Sequence, residues 1–261
     1  MNLGLEGKRA LVTGASEGIG RAVVLELARE GCDVAFCSRR PEPLEELAEA
    51  VGAETGRKAV PLTADMSSLE QIEAFVEAAV AALGGVDIVV NNAGSSIFAP
   101  FFEIPDERWV QDITVKLLGY VRVARAAIPH MPPEGGRLIN VAGNAGKQPL
   151  PYHLPGGASN AGVINFTVAL AQQVAARGIH VIAVAPGPVR TARFEKQLDQ
   201  IAVQLGVDRE EAERRFTDDL PLKRVPSAEE MAGLIAFLAS ERAAYMTGTT
   251  VTPDGGITRG I

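Results

Sequence analysis

Residues 8–20 read KRALVTGASEGIG, a short apolar run followed by a turn that contains three glycines. The run Arg9–Thr13 is continuous rather than alternating, which is typical of a strand buried on both faces of a sheet. From Ile19 to Glu30 the apolar residues return every three or four positions, which predicts an amphipathic helix. The segment therefore predicts a strand, a glycine-rich turn and a helix in direct succession.

The same alternation continues along the chain. Apolar runs predict further strands at Cys32–Cys37, Ala59–Thr63, Val86–Val90, Arg137–Val141 and His180–Val184. Helical periodicity predicts helices at Leu44–Val51, Ser68–Leu83, Arg108–His130, Ala158–Ala176 and Ala228–Leu238. Alternating strands and helices form right-handed units around a parallel sheet. We therefore expect a single α/β domain over residues 1–261, a doubly wound parallel sheet with helices on both faces.

The composition is that of an ordinary globular protein, with 47 % hydrophobic and 22 % charged residues among 261. The net charge of −7 argues against nucleic-acid binding, which needs a basic face. Cys32 and Cys37 are predicted to pack on opposite faces of one strand rather than to form a disulfide. Without a signal-peptide pattern or an uncharged apolar run of about 18 residues, we expect a cytoplasmic protein with no membrane partner.

The turn Thr13–Gly20 has the features of a phosphate-binding loop. Its glycines let the backbone pass close to a pyrophosphate, and the next helix offers free N–H groups and the positive end of its dipole. A plain tight turn is the alternative interpretation, and the position between a strand and a helix favours the nucleotide. Contacts with the nucleotide are expected from Gly14, Ser16, Glu17, Gly18, Ile19 and Gly20.

The G-x-x-x-G-x-G spacing of this turn resembles that of the short-chain dehydrogenase/reductase family, and the resemblance covers the whole chain. The other matching motifs are Asp65-Met66, Asn91-Asn92-Ala93-Gly94, Pro186-Gly187-Pro188-Val189-Arg190-Thr191, Thr247-Gly248 and Asp254-Gly255-Gly256. The resemblance implies a Rossmann-type sheet of about seven strands and a bound nicotinamide cofactor. It also implies a homodimer or homotetramer packed through the two long helices, Arg108–His130 and Ala158–Ala176.

The resemblance also assigns cofactor contacts outside the first turn. Asp65 and Met66 resemble the adenine contact of the family. The loop after the sixth strand holds the nicotinamide end in relatives, and the turn after the fourth strand is specific to the family. The residues implied by these motifs are Asn92, Ala93, Gly94, Pro186, Gly187, Val189 and Thr191.

The second strand ends in Ser38-Arg39-Arg40, which bears on the choice of cofactor. An NAD site usually has an acidic residue here, whereas arginine pairs bidentately with the 2′-phosphate of NADP. The carboxylate of Glu17 opposes this interpretation because it would face the same phosphate, and a solvated charge pair is the other alternative. We predict NADP(H) in preference to NAD(H), with Ser38, Arg39 and Arg40 among the cofactor contacts.

The acid–base positions of the family are substituted in this chain. Relatives use a Tyr, a Lys four residues later, a Ser, and an Asn on the preceding long helix. Counting from the matching flanks places these positions at Gly156, Asn160, Gly143 and Lys116, respectively. The resemblance therefore implies that the usual proton relay does not operate here.

Three other residues are candidates for the chemistry. Lys116 and Asn160 exchange the Lys and Asn of the family, which keeps an ammonium in the site unless Lys116 points outward to solvent. Tyr152 lies in Gln148–Gly157, a proline- and glycine-rich segment predicted to be a loop over the site, and its phenol is a candidate general acid. Asn144 is a candidate hydrogen-bond donor in place of the absent Ser. The alternative for Tyr152 and its neighbour His153 is to cap an apolar loop.

These patterns favour an oxidoreductase that acts on a carbonyl/alcohol pair through a non-standard proton relay. Redox-neutral chemistry of the lyase or isomerase type and non-catalytic dinucleotide binding remain as alternatives on the same fold. No histidines have metal-ligand spacing, so no metal is predicted.

The residues expected to line the substrate pocket suggest an apolar, medium-sized substrate under an irregular lid of residues 190–226. These pocket candidates are Ser95, Phe98, Phe101, Phe102 and the segment Phe194–Phe216. Lid arginines that could meet an anionic group, or simply form a solvated helix face, are Arg193, Arg209, Arg214 and Arg215.

Overall fold

The computed structural model describes residues 2–94 and 97–259. Within them, seven strands form one parallel sheet in the order β3-β2-β1-β4-β5-β6-β7. The strands are β1 (Arg9–Thr13), β2 (Asp33–Ser38), β3 (Ala59–Thr63), β4 (Ile88–Asn91), β5 (Gly136–Val141), β6 (Ile179–Val184) and β7 (Thr249–Val251). The strand order reverses between β1 and β4, where ligands bind in open sheets of this kind. The doubly wound fold predicted from the sequence is confirmed.

Helices cover both faces of the sheet. They are α1 (Gly18–Arg29), α2 (Glu42–Thr55), α3 (Leu69–Leu83), α4 (Asp106–Asp112), α5 (Gly119–Ala127), α6 (Leu154–Val174), α7 (Ala192–Leu205), α8 (Arg209–Asp218) and α9 (Ala228–Ala239). A π-helical segment, Ile113–Leu118, joins α4 to α5 without a break. Ser68 and Ser227 cap α3 and α9 by accepting hydrogen bonds from first-turn N–H groups, as their positions predict. None of the helices in the described residues is long and apolar enough to cross a membrane.

The sheet separates two apolar clusters. Because neighbouring residues of a strand point to opposite faces, Val12 packs with α1, α2 and α9, while Leu11 packs with α3, α5 and α6. Cys32 belongs to the first cluster and Cys37 to the second, and both thiols are free. Burial raises the pKa of each thiol to about 12. The prediction that the two cysteines pack on opposite faces is confirmed.

Two segments are more regular than the sequence suggested. The lid region contains α7 and α8, whose own core is formed by Phe194, Leu198, Ala202, Ala212, Leu220 and Val225. The expectation of an irregular lid was wrong because the spacing of four between Phe194, Leu198 and Ala202 makes an apolar stripe on a highly charged helix. The segment Gln148–Gly157 is also not all loop, since α6 begins at Leu154. Its Pro155 stands in the first turn, where a missing N–H costs no helical hydrogen bond.

Candidate active site

The candidate site begins where the turn after β1 meets the turn after β4. The hydroxyl of Thr13 accepts hydrogen bonds from the backbone N–H groups of Asn92 and Ala93, at 3.0 and 3.2 Å. The side-chain amide of Asn92 donates to the carbonyl oxygens of Thr13 and Gly14, at 3.2 and 3.0 Å. These bonds hold two chain segments, about 80 residues apart in sequence, at one edge of the sheet.

The glycines of the first turn leave a cradle that any side chain would fill. Gly14 has a φ of +71°, and a Cβ on it would stand 2.7 Å from the Cα of Ala93. A Cβ on Gly20 would stand 2.2 Å from the carbonyl oxygen of Gly14. Helix α1 begins at Gly18, and its N-cap residue Glu17 makes no side-chain capping bond, so the first-turn N–H groups remain available. This cradle fits the pyrophosphate of a dinucleotide.

The end of β2 brings charged groups to the same cradle. Arg39 and Arg40 are exposed, and a guanidinium nitrogen of Arg40 lies 3.6 Å from a carboxylate oxygen of Glu17. The hydroxyl of Ser38 bonds locally, to the backbone N–H and carbonyl of Arg40. The sequence led us to expect Glu17 and the arginines at the same corner, and in the structure Glu17 forms an ion pair with Arg40. An anionic ligand at this corner would compete with Glu17 for Arg40.

The remaining predicted cofactor residues lie on loops around this edge. Asp65 accepts hydrogen bonds from the backbone and hydroxyl of Ser67, and Met66 is buried. Thr191 caps α7 and packs against the first turn, since a Cβ on Gly18 would lie 3.0 Å from its methyl carbon. The lid thus begins in contact with the glycine-rich turn. Pro186, Gly187 and Val189 lie in the loop after β6, and Ile19 lies in the first turn of α1; Ile19 and Val189 pack against the core.

Lys116 lies on the π-helical segment and points towards the strand ends. Its ammonium donates to the carbonyl oxygen of Ala142 at 2.9 Å. The Nζ atom also lies 3.8 Å from the point where a Cβ on Gly94 would stand. Burial lowers the pKa of Lys116 to about 7; the charge of Arg193 acts in the same direction, and the charge of Asp112 opposes it. The orientation required for a role in the site, inward rather than outward, is therefore present.

Gly143 and Asn160 occupy one space between the end of β5 and helix α6. Asn160 is 4 % exposed, and its amide nitrogen lies 2.7 Å from the point where a Cβ on Gly143 would stand. Gly143 has extended backbone that any residue adopts, so the side chain of Asn160, not backbone strain, is what a larger residue would meet. The side-chain oxygen of Asn160 is buried and has no hydrogen-bond partner in the described part of the chain. These two positions, both substituted relative to the family's acid–base residues, are therefore in contact in the structure.

The other two catalytic candidates, Tyr152 and Asn144, form no hydrogen bond with Lys116 among the described residues. The side chain of Tyr152 is 62 % exposed, and its backbone carbonyl accepts a hydrogen bond from Ala99. Within residues 2–94 and 97–259, its phenol makes no hydrogen bond to Lys116. The backbone N–H of Asn144 donates to the carbonyl oxygen of Pro186. Its side chain lies near the Asp254 carboxyl and contributes to lowering the pKa of that group.

His153 is part of an aromatic wall. The ring is buried and stacks on Phe98 with the ring centres 4.3 Å apart. Burial lowers the pKa of His153 to about 4, so the ring is neutral at ordinary pH. Phe98 itself is exposed, as are Phe101 and Phe102, whose rings contact each other edge to face, whereas Ser95 lies outside the described residues. No group of three or more His, Cys, Asp and Glu side chains in the described ranges could hold a metal ion.

Arg193 is a site residue that the sequence did not separate from the other lid arginines. It stands in the first turn of α7 and donates to the carbonyl oxygen of Gly94 at 3.0 Å. The available signal was its position two residues after Thr191, which ends the loop motif that follows β6. Together with Lys116, it brings a second cation to Gly94.

Comparison with known proteins places these features in a family context. The sequence profile of the short chain dehydrogenase family matches residues 8–202. The 3-oxoacyl-(acyl-carrier-protein) reductase FabG of Thermotoga maritima is 36 % identical over 254 residues, which cover 97 % of this chain and 98 % of that protein. The structure of L-sorbose reductase from Gluconobacter frateurii, complexed with NADPH and L-sorbose, matches with a TM-score of 0.96 at 32 % identity over 100 % of both chains. NAD⁺-bound xylitol dehydrogenase matches with a TM-score of 0.90 at 30 % identity, over 97 % of this chain and 99 % of that one.

Proposed function

This chain belongs to the short-chain dehydrogenase family and is an NAD(P)-dependent oxidoreductase of that family. From that premise, we propose that it interconverts a carbonyl compound and an alcohol with NADP(H), and that Lys116 is the acid and base of the reaction. The nicotinamide cofactor, when bound, supplies the hydride for reduction or accepts it in oxidation. The inward position of Lys116 beside Gly94 carries the proposal.

Lys116 has the properties of a proton carrier at neutral pH. A general acid or base works best when its pKa lies near the operating pH, and the pKa of Lys116 is lowered to about 7. The carbonyl of Ala142 orients the ammonium, because it accepts one of its three N–H bonds and leaves two for a substrate oxygen. In reduction, Nζ gives a proton to the carbonyl oxygen as the alcohol forms. In oxidation, the neutral amine takes the alcohol proton.

In the proposed site, the usual acid–base groups of the family are replaced by other residues. Gly143, Gly156 and Asn160 stand where the resemblance puts Ser, Tyr and Lys. The close fit of Asn160 beside Gly143 supports a rearranged site, since an amide there fills the space that a residue larger than glycine would need. We assign Tyr152 to the mouth of the site, where its phenol is exposed to solvent, and we assign Asn144 the role of a supporting hydrogen-bond donor.

NADP(H) is the proposed cofactor because two arginines end β2. Arg39 and Arg40 offer the donors that pair with a 2′-phosphate, and no carboxylate follows β2 directly in the sequence. The relatives differ, since the sorbose reductase structure holds NADPH and the xylitol dehydrogenase structure holds NAD⁺. The proposed preference for NADP(H) over NAD(H) therefore rests on the positive charges of Arg39 and Arg40 after β2.

The proposed substrate is a small molecule with an apolar part. The exposed ring of Phe98, stacked on His153, supports this. We also propose a homodimer or homotetramer, since the long helices carry exposed apolar side chains at Val110 and Val168.

A titration of NADPH against NADH tests the proposal, with energy transfer from Trp109 to the cofactor as the readout. A screen of carbonyl compounds then follows nicotinamide absorbance. Tighter NADPH binding with net oxidation of NADPH supports the proposal. Cofactor binding without net oxidation by any carbonyl compound would favour redox-neutral chemistry, and a folded protein that binds neither cofactor would not be an oxidoreductase.

A further inference from the structure

The lid helices carry several arginines, and most of them are neutralised by neighbouring carboxylates. Arg190 pairs with Glu195 and Glu213, and Arg209 pairs with Glu195 and Asp199. Arg214 and Arg215 both pair with Glu211 on α8, at 2.7 Å each, and Arg214 also pairs with Asp218. These arginines therefore form a solvated, charge-balanced surface, which is the second of the two interpretations that the sequence left open, rather than a site for an anionic group.

Arg193 is different. Its guanidinium donates to the neutral carbonyl of Gly94, and within the described residues no carboxylate lies in ion-pair range of it. It also stands in the first turn of α7, where the positive end of the helix dipole disfavours a cation. Neither the stability of α7 nor the charge balance of the lid accounts for an arginine at this position.

Arg193 and Lys116 border the same space. The carbonyl of Gly94 accepts the hydrogen bond from Arg193, and the other side of Gly94 lies beside the ammonium of Lys116. Arg193 is exposed, and its charge acts on both Lys116 and His153, so its guanidinium lies near both side chains. Asp112 is the carboxylate that acts on Lys116 from the opposite side. The mouth of the site thus has an uncompensated cation next to the proposed acid–base group.

We propose that Arg193 binds a carboxylate of the substrate, so that the enzyme acts on an oxo acid and the matching hydroxy acid. The inference rests on the proposed function and specifies its substrate class: Lys116 serves the carbonyl or alcohol oxygen, and Arg193 holds the acid group. A guanidinium has five N–H donors, so the bond to Gly94 leaves donors for a bidentate carboxylate. The stacked pair of Phe98 and His153 offers an apolar surface for the rest of the substrate.

Matched acids and amides test the inference by binding alone. Pyruvate, benzoylformate and benzoylacetate, each beside its uncharged amide, are titrated by calorimetry into the protein saturated with NADP⁺. Because both cofactor and ligand are oxidised, no turnover disturbs the measurement. We expect at least one acid to bind about tenfold or more tightly than its amide, the usual size of a charge-assisted contact.

Two variants assign that preference to a residue. Arg193→Gln can still donate to Gly94 but has no charge, and it should remove the preference for the acid. Arg214→Gln, an arginine of the same lid in ion pairs on the outside of α8, should keep it. Equal binding of acid and amide throughout the series, or an acid preference that survives in Arg193→Gln, would overturn the inference.

Turnover separates this inference from the proposed function. If acids bind through Arg193 but no oxo acid oxidises NADPH, the carboxylate site stands and the proposed reaction fails. If uncharged carbonyl compounds turn over as well as the acids, the reaction stands and the carboxylate site fails. Lys116→Met should lose turnover and keep its preference for the acid in the binding assay.

Discussion

The glycine cradle and the proposed acid–base region lie at the same edge of one sheet, but they are built from different parts of the chain. The cradle is formed by backbone, at Gly14, Gly20 and the turn that Asn92 ties to it. The proposed acid–base region is formed by side chains from separate elements: Lys116 from the π-helical segment and Asn160 from α6. A backbone site tolerates few changes, because a Cβ on Gly20 would collide with Gly14. A side-chain site can be rebuilt from a different element.

This difference explains why one region matches the family closely and the other is proposed to depart from it. An ammonium on the π-helical segment reaches the carbonyl after β5 from the opposite side of the site to α6. The widened turn of a π-helix changes the direction of its side chains, and such turns are frequent at functional sites. Four experiments test this difference between the two regions.

The largest effect is expected for Lys116→Met, which removes the ammonium and keeps the length of the side chain. Turnover should fall about 100-fold or more, while NADPH binding stays unchanged, because the cradle is built elsewhere. Steady-state kinetics and fluorescence titration measure the two properties. Lys196→Met on exposed α7 is the control and should keep full activity. Tyr152→Phe should cost less than Lys116→Met; the reverse order would make the phenol the acid.

The pH dependence of the wild-type enzyme should follow Lys116. Below pH 7 the ammonium is protonated and can act as the acid in carbonyl reduction. As pH rises through about 7 the acid is lost, so kcat/KM for reduction should fall, by about tenfold per pH unit well above the pKa. Oxidation of the alcohol should rise over the same range. The charges of Arg193 and Asp112 act on Lys116 in opposite directions, and burial lowers the pKa of His153 to about 4, below the range of this test. A reduction profile that stays flat to pH 9 would exclude Lys116 as the acid.

A smaller effect is expected at the cofactor corner. Arg40→Ala should weaken NADPH binding by about tenfold, because the 2′-phosphate loses a guanidinium partner. NADH has no 2′-phosphate, so its binding should stay nearly unchanged. Glu17→Gln should act in the opposite direction, by a few-fold, since it frees Arg40 from an ion pair at 3.6 Å. Both changes are read from parallel titrations with the two cofactors. If neither substitution alters the NADPH-to-NADH ratio, the charge at β2 does not select the cofactor.

The smallest effect is on stability. Gly143→Ser should destabilise the protein by about 1–2 kcal/mol, because the new side chain presses on the buried amide of Asn160. Asn160→Ala in the same chain should relieve much of that cost, and urea unfolding of the single and double variants measures the coupling. Gly157→Ser is the control, since its Cβ would meet only Ala145, at an ordinary 3.5 Å. Additive effects of Gly143→Ser and Asn160→Ala would show that the two positions are independent.

Much of the scaffold could be predicted because its patterns are local. The predicted first strand, Arg9–Thr13, and third strand, Ala59–Thr63, agree with the structure residue for residue. The errors also have local causes. Pro155 and its two following glycines suggested a loop, although proline is compatible with the first turn of a helix. In the lid, many charged residues obscured the apolar stripe of α7.

The sheet, the strand-to-helix turn and the glycine cradle could be predicted from the sequence, because glycines and apolar periods act on their own segments of chain. Three facts required the folded structure: Lys116 points inward, Asn160 fills the space beside Gly143, and Arg193 is the one arginine of the described lid without a carboxylate partner. Each of these facts depends on two segments that are distant in sequence, such as Gly94 and Arg193. Their meeting is set by the packing of helices on the sheet, and no local pattern records it.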